Sequence, residues 1–126
     1  MHNKLIALAQ SKLRDQEFSG KLSCGQVSSA IETSSGKQFS GVCIDAACSL
    51  GICAERNAIG TMVTEGEFEI TKLVCIKGTE FILPCGACQE LLLQLHPKNS
   101  EMDIVTHANG STMKLKELMP YWWANT

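Results

Sequence analysis

Three cysteines in this chain have the spacing of a metal site: Cys53, Cys85 and Cys88. Cys53 opens one predicted helix, and Cys85 and Cys88 form a C-x-x-C pair at the start of another. The positive end of a helix favours the thiolate form that binds metal, and sulfur ligands suit a tetrahedral cation such as zinc. Three thiolates leave the fourth position open to water, which is typical of a catalytic zinc site.

A carboxylate follows the first cysteine at a distance of two residues. Glu55 is predicted to reach the activated water as a general acid/base, without being a metal ligand itself. Each feature alone has an ordinary alternative, because a C-x-x-C pair also serves redox chemistry and a glutamate in a first turn stabilises the helix dipole. Together they match the cysteine form of the zinc-deaminase signature, C-A-E followed by P-C-x-x-C.

Residues 51–59 (GICAERNAI) and 84–91 (PCGACQEL) carry this signature. Through them the chain resembles the cytidine deaminase family in its small, three-cysteine class, and the resemblance extends over nearly the whole length. It implies that the three cysteines bind zinc and that Glu55 shuttles the protons. It also implies that the backbone N–H of Ala54 contacts the pyrimidine O2, and that the protein is a homotetramer with active sites near subunit contacts.

Arg56 has a predicted role on grounds of charge as well. Three thiolates around a divalent cation leave a net negative cluster, which weakens zinc as a Lewis acid. A guanidinium that donates hydrogen bonds to the sulfurs offsets that charge. The alternative is an arginine that is solvated on the helix surface.

Two stretches depart from the family's pattern, and both concern the substrate. The family holds the ribose hydroxyl with an asparagine and a glutamate, whereas this chain has Cys43 and Asp45 at these substrate-binding positions. The family has an aromatic residue followed by proline where this chain has Gly25 and Gln26, so an aromatic wall of the base pocket is predicted to be missing. The aromatic run 121–123 (YWW) either packs on its own chain or closes the pocket of a neighbouring subunit.

The leading hypothesis is zinc-dependent hydrolytic deamination of a cytosine nucleoside, with cytidine or deoxycytidine converted to the uracil product and ammonia. Stretches 27–30, 95–97 and 117–120 also resemble blasticidin-S deaminases, so deamination of such a modified nucleoside is the second hypothesis. Two hypotheses come from other classes. One is a non-catalytic zinc-stabilised module whose site is closed by a fourth protein ligand, and the other is a thiol oxidoreductase that uses the C-x-x-C pair.

Hydrophobic periodicity predicts the elements that position these residues. Helices are predicted over 3–16, 53–64, 85–95 and 115–119. Strands are predicted over 27–33, 38–44, 70–77 and 102–107, with a polar connection over 18–25. Because the early strands form a hairpin, the sheet is predicted to be mixed. With the resemblance, this predicts one three-layer α/β/α cytidine-deaminase-like domain over residues 1–126.

The composition is that of a soluble globular chain, since 44% of its 126 residues are hydrophobic and 19% are charged. A net charge of −2 argues against a nucleic-acid partner, and the apolar runs are too short for a membrane span. We therefore expect a small-molecule nucleoside as partner. Seven cysteines, an odd number, and an N-terminus unlike a secretory signal predict reduced thiols in the cytoplasm. Cys24, Cys48 and Cys75 are expected to be small buried hydrophobic residues.

Overall fold

The structure is a computed structural model that describes residues 2–124. Within them, seven strands form one sheet. The strands are β1 (Gln16–Phe18), β2 (Leu22–Thr33), β3 (Gln38–Ala46), β4 (Ile70–Lys77), β5 (Glu80–Ile82), β6 (Asp103–Val105) and β7 (Thr112–Lys114). The helices are α1 (Asn3–Lys12), α2 (Ala54–Thr64), α3 (Gly86–Leu95) and α4 (Leu115–Leu118), with a 3₁₀ helix at Pro97–Glu101. That residues 1–126 form a single domain stays a prediction, and residues 1, 125 and 126 lie outside the described part.

Strand β2, the longest, lies inside the sheet next to the edge strand β3 and pairs antiparallel with three other strands. β3 occupies one edge of β2, while β1 and β4 pair along the opposite edge at its beginning and its end. β4 pairs antiparallel with β5 and parallel with β6, and β7 adds to the far side of β6. The prediction of a mixed sheet is confirmed.

Helices cover both faces of this sheet. Along β4, Val74 and Ile76 pack against α1, whereas Leu73 and Cys75 belong to the core cluster under α2 and α3. This division follows from the period of two in a strand, which sends successive side chains to opposite faces. The predicted three-layer α/β/α arrangement is confirmed. None of the helices among residues 2–124 has both the length and the apolar character that crossing a bilayer requires.

The first helix ends at Lys12, four residues earlier than its periodicity predicts. After it the chain is extended, and the N–H of Arg14 donates a hydrogen bond to the carbonyl of Gly25 at 3.0 Å. A Cβ on Gly25 would lie 1.9 Å from the carbonyl oxygen of Arg14, and φ is +85° there, so the site requires glycine. The chain then continues into β1, where the sequence predicts only a connection.

The other element bounds agree to different degrees. β4 and the start of β3 match their predictions, but β2 begins at Leu22 rather than at residue 27. β5 and β7 are not predicted, because three residues are too few to show a hydrophobic period. Among the cysteines expected in the core, Cys75 is buried, Cys24 is half-buried and Cys48 is exposed. The expectation for Cys48 is wrong because it lies in the turn after β3, with a φ of +62°.

Candidate active site

The N-termini of two helices bring the three cysteines together. Cys53 is the N-cap of α2, Cys85 is the N-cap of α3, and Cys88 lies in the first turn of α3. Both N-cap residues are extended, and their carbonyls accept the first hydrogen bonds of the helices, from the N–H groups of Asn57 and Gln89 at 3.0 and 2.9 Å. The positive ends of both helices therefore lie at the sulfur cluster.

The distances within this cluster suit a zinc ion. The Sγ atoms of Cys53 and Cys85 are 3.6 Å apart, and those of Cys85 and Cys88 are 3.1 Å apart. Tetrahedral zinc with bonds of about 2.3 Å to sulfur needs separations of about 3.8 Å, which small side-chain rotations here would supply. Three sulfurs are a donor set that zinc prefers, so the residues fit the metal.

The Glu55 side chain completes the cluster. Its carboxylate oxygen lies within 4.8 Å of all three cysteine sulfurs, as part of the same group of candidate ligand atoms. Glu55 is the second residue of α2 and is 4% exposed. A buried carboxylate beside three sulfurs is placed to exchange protons with a molecule held in the cluster.

Charge in the cluster is balanced by Arg56. Its Nη2 donates a hydrogen bond to the Sγ of Cys53 at 3.3 Å. That hydrogen bond, with the charge of the Cys53 thiolate, raises the pKa of Arg56. Burial raises the pKa of Cys88. The pKa of the more exposed Cys85 is lowered: burial acts to raise it, but hydrogen bonds with Cys88 and Cys53 outweigh that effect.

A fourth thiol lies behind the cluster. Cys75 on β4 is fully buried, and its Sγ is 3.6 Å from the Oγ of Ser29 on β2. Burial raises the pKa of Cys75, and the charge of Glu55 raises it further. Cys75 therefore stays a neutral thiol in the core, and it is not a member of the group of candidate ligands.

A cavity of about 690 Å³ opens in front of the cysteines and Glu55. The side chains of Cys53, Cys85 and Glu55 contribute to its wall, as does Arg56. Each residue predicted to contact substrate, which means Cys43, Asp45 and Ala54, also lines this cavity. The structure thus brings the predicted metal, catalytic and substrate positions to one place.

Cys43 uses its hydrogen-bonding capacity within the protein. Its Sγ accepts a hydrogen bond from the N–H of Val27 at 3.4 Å and donates one to Oε1 of Gln26 at 3.3 Å. The same Sγ lies 3.7 Å from Oδ2 of Asp45. Cys43 is 7% exposed, whereas Asp45 is exposed, so Asp45 is the freer of the two to meet a ligand.

Several cavity residues have no role in the sequence-based prediction. Gln26 and Lys77 add polar groups to the wall, and Ile82 and Leu83 add apolar ones. The last two belong to β5 and the segment after it, which the sequence does not predict. Gly78, with a φ of +62°, is the signal for the hairpin that brings β5 back along β4.

The C-terminal aromatic residues lie on α3 rather than in the cavity. The indole N–H of Trp122 donates to both carboxylate oxygens of Glu90 at 2.9 and 3.0 Å, and that of Trp123 donates to one of them at 3.1 Å. Trp122 also packs on the core cluster under α3. Tyr121 is 96% exposed and Trp123 is 75% exposed. Within one chain, this aromatic run replaces no wall of the cavity.

Comparisons with known proteins give the family. Residues 1–104 match the model of the cytidine and deoxycytidylate deaminase zinc-binding region. A blasticidin-S deaminase from Bacillus cereus is 29% identical over 106 residues, which cover 75% of this chain and 74% of that protein. A probable cytidine deaminase from Dictyostelium discoideum is 38% identical over 68 residues, which cover 52% of this chain and 46% of that protein.

A solved structure supports the same assignment. The crystal structure of a cytidine deaminase from Burkholderia pseudomallei is similar, with a TM-score of 0.76 and 26% identity, over 96% of this chain and 98% of that chain. The family model spans well over half of this chain and includes all three clustered cysteines and Glu55. The chain belongs to the cytidine and deoxycytidylate deaminase family, a family of zinc-dependent hydrolytic deaminases.

Proposed function

We propose that this protein deaminates the cytosine ring of a nucleoside, cytidine or deoxycytidine, and that Glu55 is the catalytic acid/base. The observation that carries the proposal is the buried Glu55 carboxylate within 4.8 Å of three cysteine sulfurs, at the wall of a cavity. A volume of about 690 Å³ is within the range of small-molecule sites. The reaction consumes one water and yields the uracil nucleoside and ammonia.

The proton transfers fall to Glu55. With zinc on the three thiolates, the site gains a Lewis acid that makes water nucleophilic near neutral pH. Glu55 accepts a proton from the water that attacks C4 of the ring and delivers it to N3. It then carries the proton of the new C4 hydroxyl to the amino group, which leaves as ammonia while a carbonyl forms at C4.

Other residues of the cavity hold the reactants. Arg56 offsets the negative charge of the thiolates, because its guanidinium already contacts the Cys53 sulfur. Val27 and Ile52 offer apolar contacts to the ring, and the N–H of Ala54 is the proposed donor to O2. Cys43 and Asp45 are the proposed positions for the substituent on N1.

The test compares Glu55→Gln with Glu65→Gln, which changes an exposed carboxylate at the end of the same helix. Ammonia release from cytidine and deoxycytidine is measured with zinc-loaded proteins of verified metal content. We expect Glu55→Gln to lower kcat by about 10²- to 10⁴-fold at unchanged zinc content, and Glu65→Gln to match the wild type. Wild-type kcat in Glu55→Gln would refute the proposed role.

Blasticidin S is the second candidate substrate. The match to a blasticidin-S deaminase covers three quarters of this chain. The cavity wall also departs from the family's pattern, because Gln26 stands where the family has a proline, and Cys43 and Asp45 stand where it has an asparagine and a glutamate. Both substrates carry a cytosine ring, so the chemistry at Glu55 would be shared. The ratio of kcat/KM for blasticidin S to that for cytidine decides between them, and a ratio above one favours the antibiotic.

We also propose a homotetramer in the cytoplasm that serves pyrimidine nucleoside salvage. The exposed rings of Tyr121 and Trp123 support an interface, and the free thiols of the described cysteines are typical of a reducing compartment. Light scattering should give four times the 13.7 kDa of one chain. The double variant Tyr121→Ala with Trp123→Ala should dissociate, whereas Phe68→Ala, at another exposed aromatic residue, should not.

A further inference from the structure

The carboxamide of Gln26 is held at both ends. Its Nε2 donates a hydrogen bond to Oδ1 of Asp15 at 2.8 Å, and its Oε1 accepts one from the Sγ of Cys43 at 3.3 Å. Asp15 belongs to the extended segment between α1 and β1, and Cys43 belongs to β3. A side chain anchored by two elements loses little further conformational entropy when a ligand binds to it.

An irregularity in β2 turns Gln26 toward the cavity. Successive residues of a regular strand point to opposite faces, yet both Gln26 and Val27 line the cavity. The register between β2 and β3 shifts between Cys24 and Ser28, and such a bulge redirects side chains. Gly25, which the backbone of Arg14 approaches closely, lies within the same irregular stretch.

The remaining hydrogen-bonding groups of this wall suit hydroxyls. After its bonds to Asp15 and Cys43, the Gln26 carboxamide keeps one N–H donor and one acceptor site. The exposed Asp45 carboxylate adds acceptors, and a hydroxyl both donates and accepts. Lys77 also lines the cavity, and its ammonium group can donate a hydrogen bond to a hydroxyl.

We infer that Gln26 is a specificity-determining residue, whose carboxamide selects substrates with a hydroxylated substituent on the cytosine N1. The inference rests on the proposed function, because it assigns Gln26 to the same cavity as Glu55. Asp15 acts through Gln26 as a positioning residue, since it fixes which way the carboxamide faces. Cys43 holds the carboxamide oxygen of Gln26, and the same Cys43 sulfur also lies beside the Asp45 carboxylate.

The experiment measures binding of the reaction product, so it does not depend on turnover. Titration calorimetry gives Kd for uridine, which carries the hydroxylated sugar, and for 1-methyluracil, which lacks it. The variants are Gln26→Ala and Gln26→Met, the second of which keeps the side-chain length. The matched control is Gln38→Ala, because Gln38 bonds Glu32 on the β2–β3 hairpin and does not line the cavity.

We expect both Gln26 variants to weaken uridine binding roughly 5- to 30-fold and to leave 1-methyluracil binding within twofold. Asp15→Ala should weaken uridine binding by a smaller factor, and Gln38→Ala should change neither ligand. For cytidine, the Gln26 variants should raise KM with little change in kcat.

Equal losses for both ligands, or unchanged uridine binding, would overturn the assignment of Gln26. Failure of the proposed function would give a different result. The wild type would then release no ammonia from any cytosine compound, even if uridine binding still differed between the wild type and the Gln26 variants.

Discussion

Arg56 and Cys53 are one helical turn apart on α2, and Nη2 of the arginine lies 3.3 Å from Sγ of the cysteine. The contact is local, because residues three apart on a helix lie on the same face. The contact places the positive guanidinium of Arg56 beside the sulfur cluster. The charge balance of the cluster is therefore set by the same helix that carries Glu55.

Replacing Arg56 should weaken the metal centre. Arg56→Gln removes the positive charge but keeps a hydrogen-bonding side chain. We expect zinc affinity or kcat to fall about 10- to 100-fold, as is typical when a partner of a metal ligand is lost. Chelator competition measures the affinity, and Arg14→Gln, at an exposed arginine outside the site, is the control. Wild-type affinity and kcat in this variant would show that the contact between Arg56 and Cys53 supports neither zinc binding nor catalysis.

Removing zinc should lower thermal stability. The three sulfurs come from the starts of two helices, so a metal that binds only the folded chain stabilises their packing. At a free zinc concentration of 100 times Kd, the free energy of unfolding should rise by about 2.7 kcal/mol. Differential scanning calorimetry with and without zinc checks this. Cys88→Ser should abolish the zinc-dependent shift, whereas Cys48→Ser, at an exposed cysteine, should keep it.

Gly41 controls how closely α2 approaches the sheet. A Cβ there would lie 2.4 Å from the backbone nitrogen of Ala58 and 2.8 Å from the carbonyl oxygen of Ala54. Gly41→Ala should therefore push α2 outward, lower the free energy of unfolding by about 1–3 kcal/mol and reduce kcat. Gly60→Ala is the matched change, because its Cβ meets nothing within 4 Å, and it should stabilise by about 0.5–1 kcal/mol. Urea denaturation decides, and equal effects would contradict the geometry.

Asn99 joins three segments beside α3. Its side chain is fully buried and accepts a hydrogen bond from the N–H of Ile70 at 2.8 Å. It donates to the carbonyls of Phe68 and Leu92 at 3.1 and 3.0 Å. Asn99→Ala leaves these buried groups without a partner, so we expect a loss of about 2–4 kcal/mol in the free energy of unfolding.

The control for Asn99 is Asn3→Ala, at the exposed first residue of α1, which should stay within about 0.5 kcal/mol of the wild type. Chemical denaturation followed by circular dichroism gives both values. A small effect at Asn99 would mean that water replaces the lost hydrogen bonds.

Cysteine reactivity should separate the exposed thiols from the core thiol. Cys48 is exposed, whereas Cys75 is fully buried and has a pKa raised by burial and by the charge of Glu55. Iodoacetamide at neutral pH should therefore modify Cys48 early and Cys75 only after unfolding. Mass spectrometry of peptides follows each site. Labelling of native Cys75 at the rate of Cys48 would show that this part of the sheet opens readily.

Much of the fold follows from local patterns. The apolar run of β4 predicts its bounds, and the periodicity of α2 and α3 places both helices and their cysteines. The end of α1 and the presence of β1 do not follow, because they depend on the contact between Arg14 and Gly25, which is eleven residues along the chain. Three-residue strands such as β5 also carry too little pattern, so their partners decide whether they form.

The clustering of the proposed metal and acid/base residues could be predicted from the sequence alone. Cys53 and Cys85 are N-cap residues, and Glu55 and Cys88 lie in the first turns that follow, so local spacing already sets how the four side chains are presented. The substrate-facing wall of the cavity could not be predicted in this way. Gln26 lines the cavity because the register of β2 against β3 shifts, and Asp15 can bond Gln26 because α1 ends early. Pairing between distant strands determines such irregularities, and no local spacing encodes them. The sequence by itself thus determined the chemistry, while the tertiary structure decided which groups face the substrate.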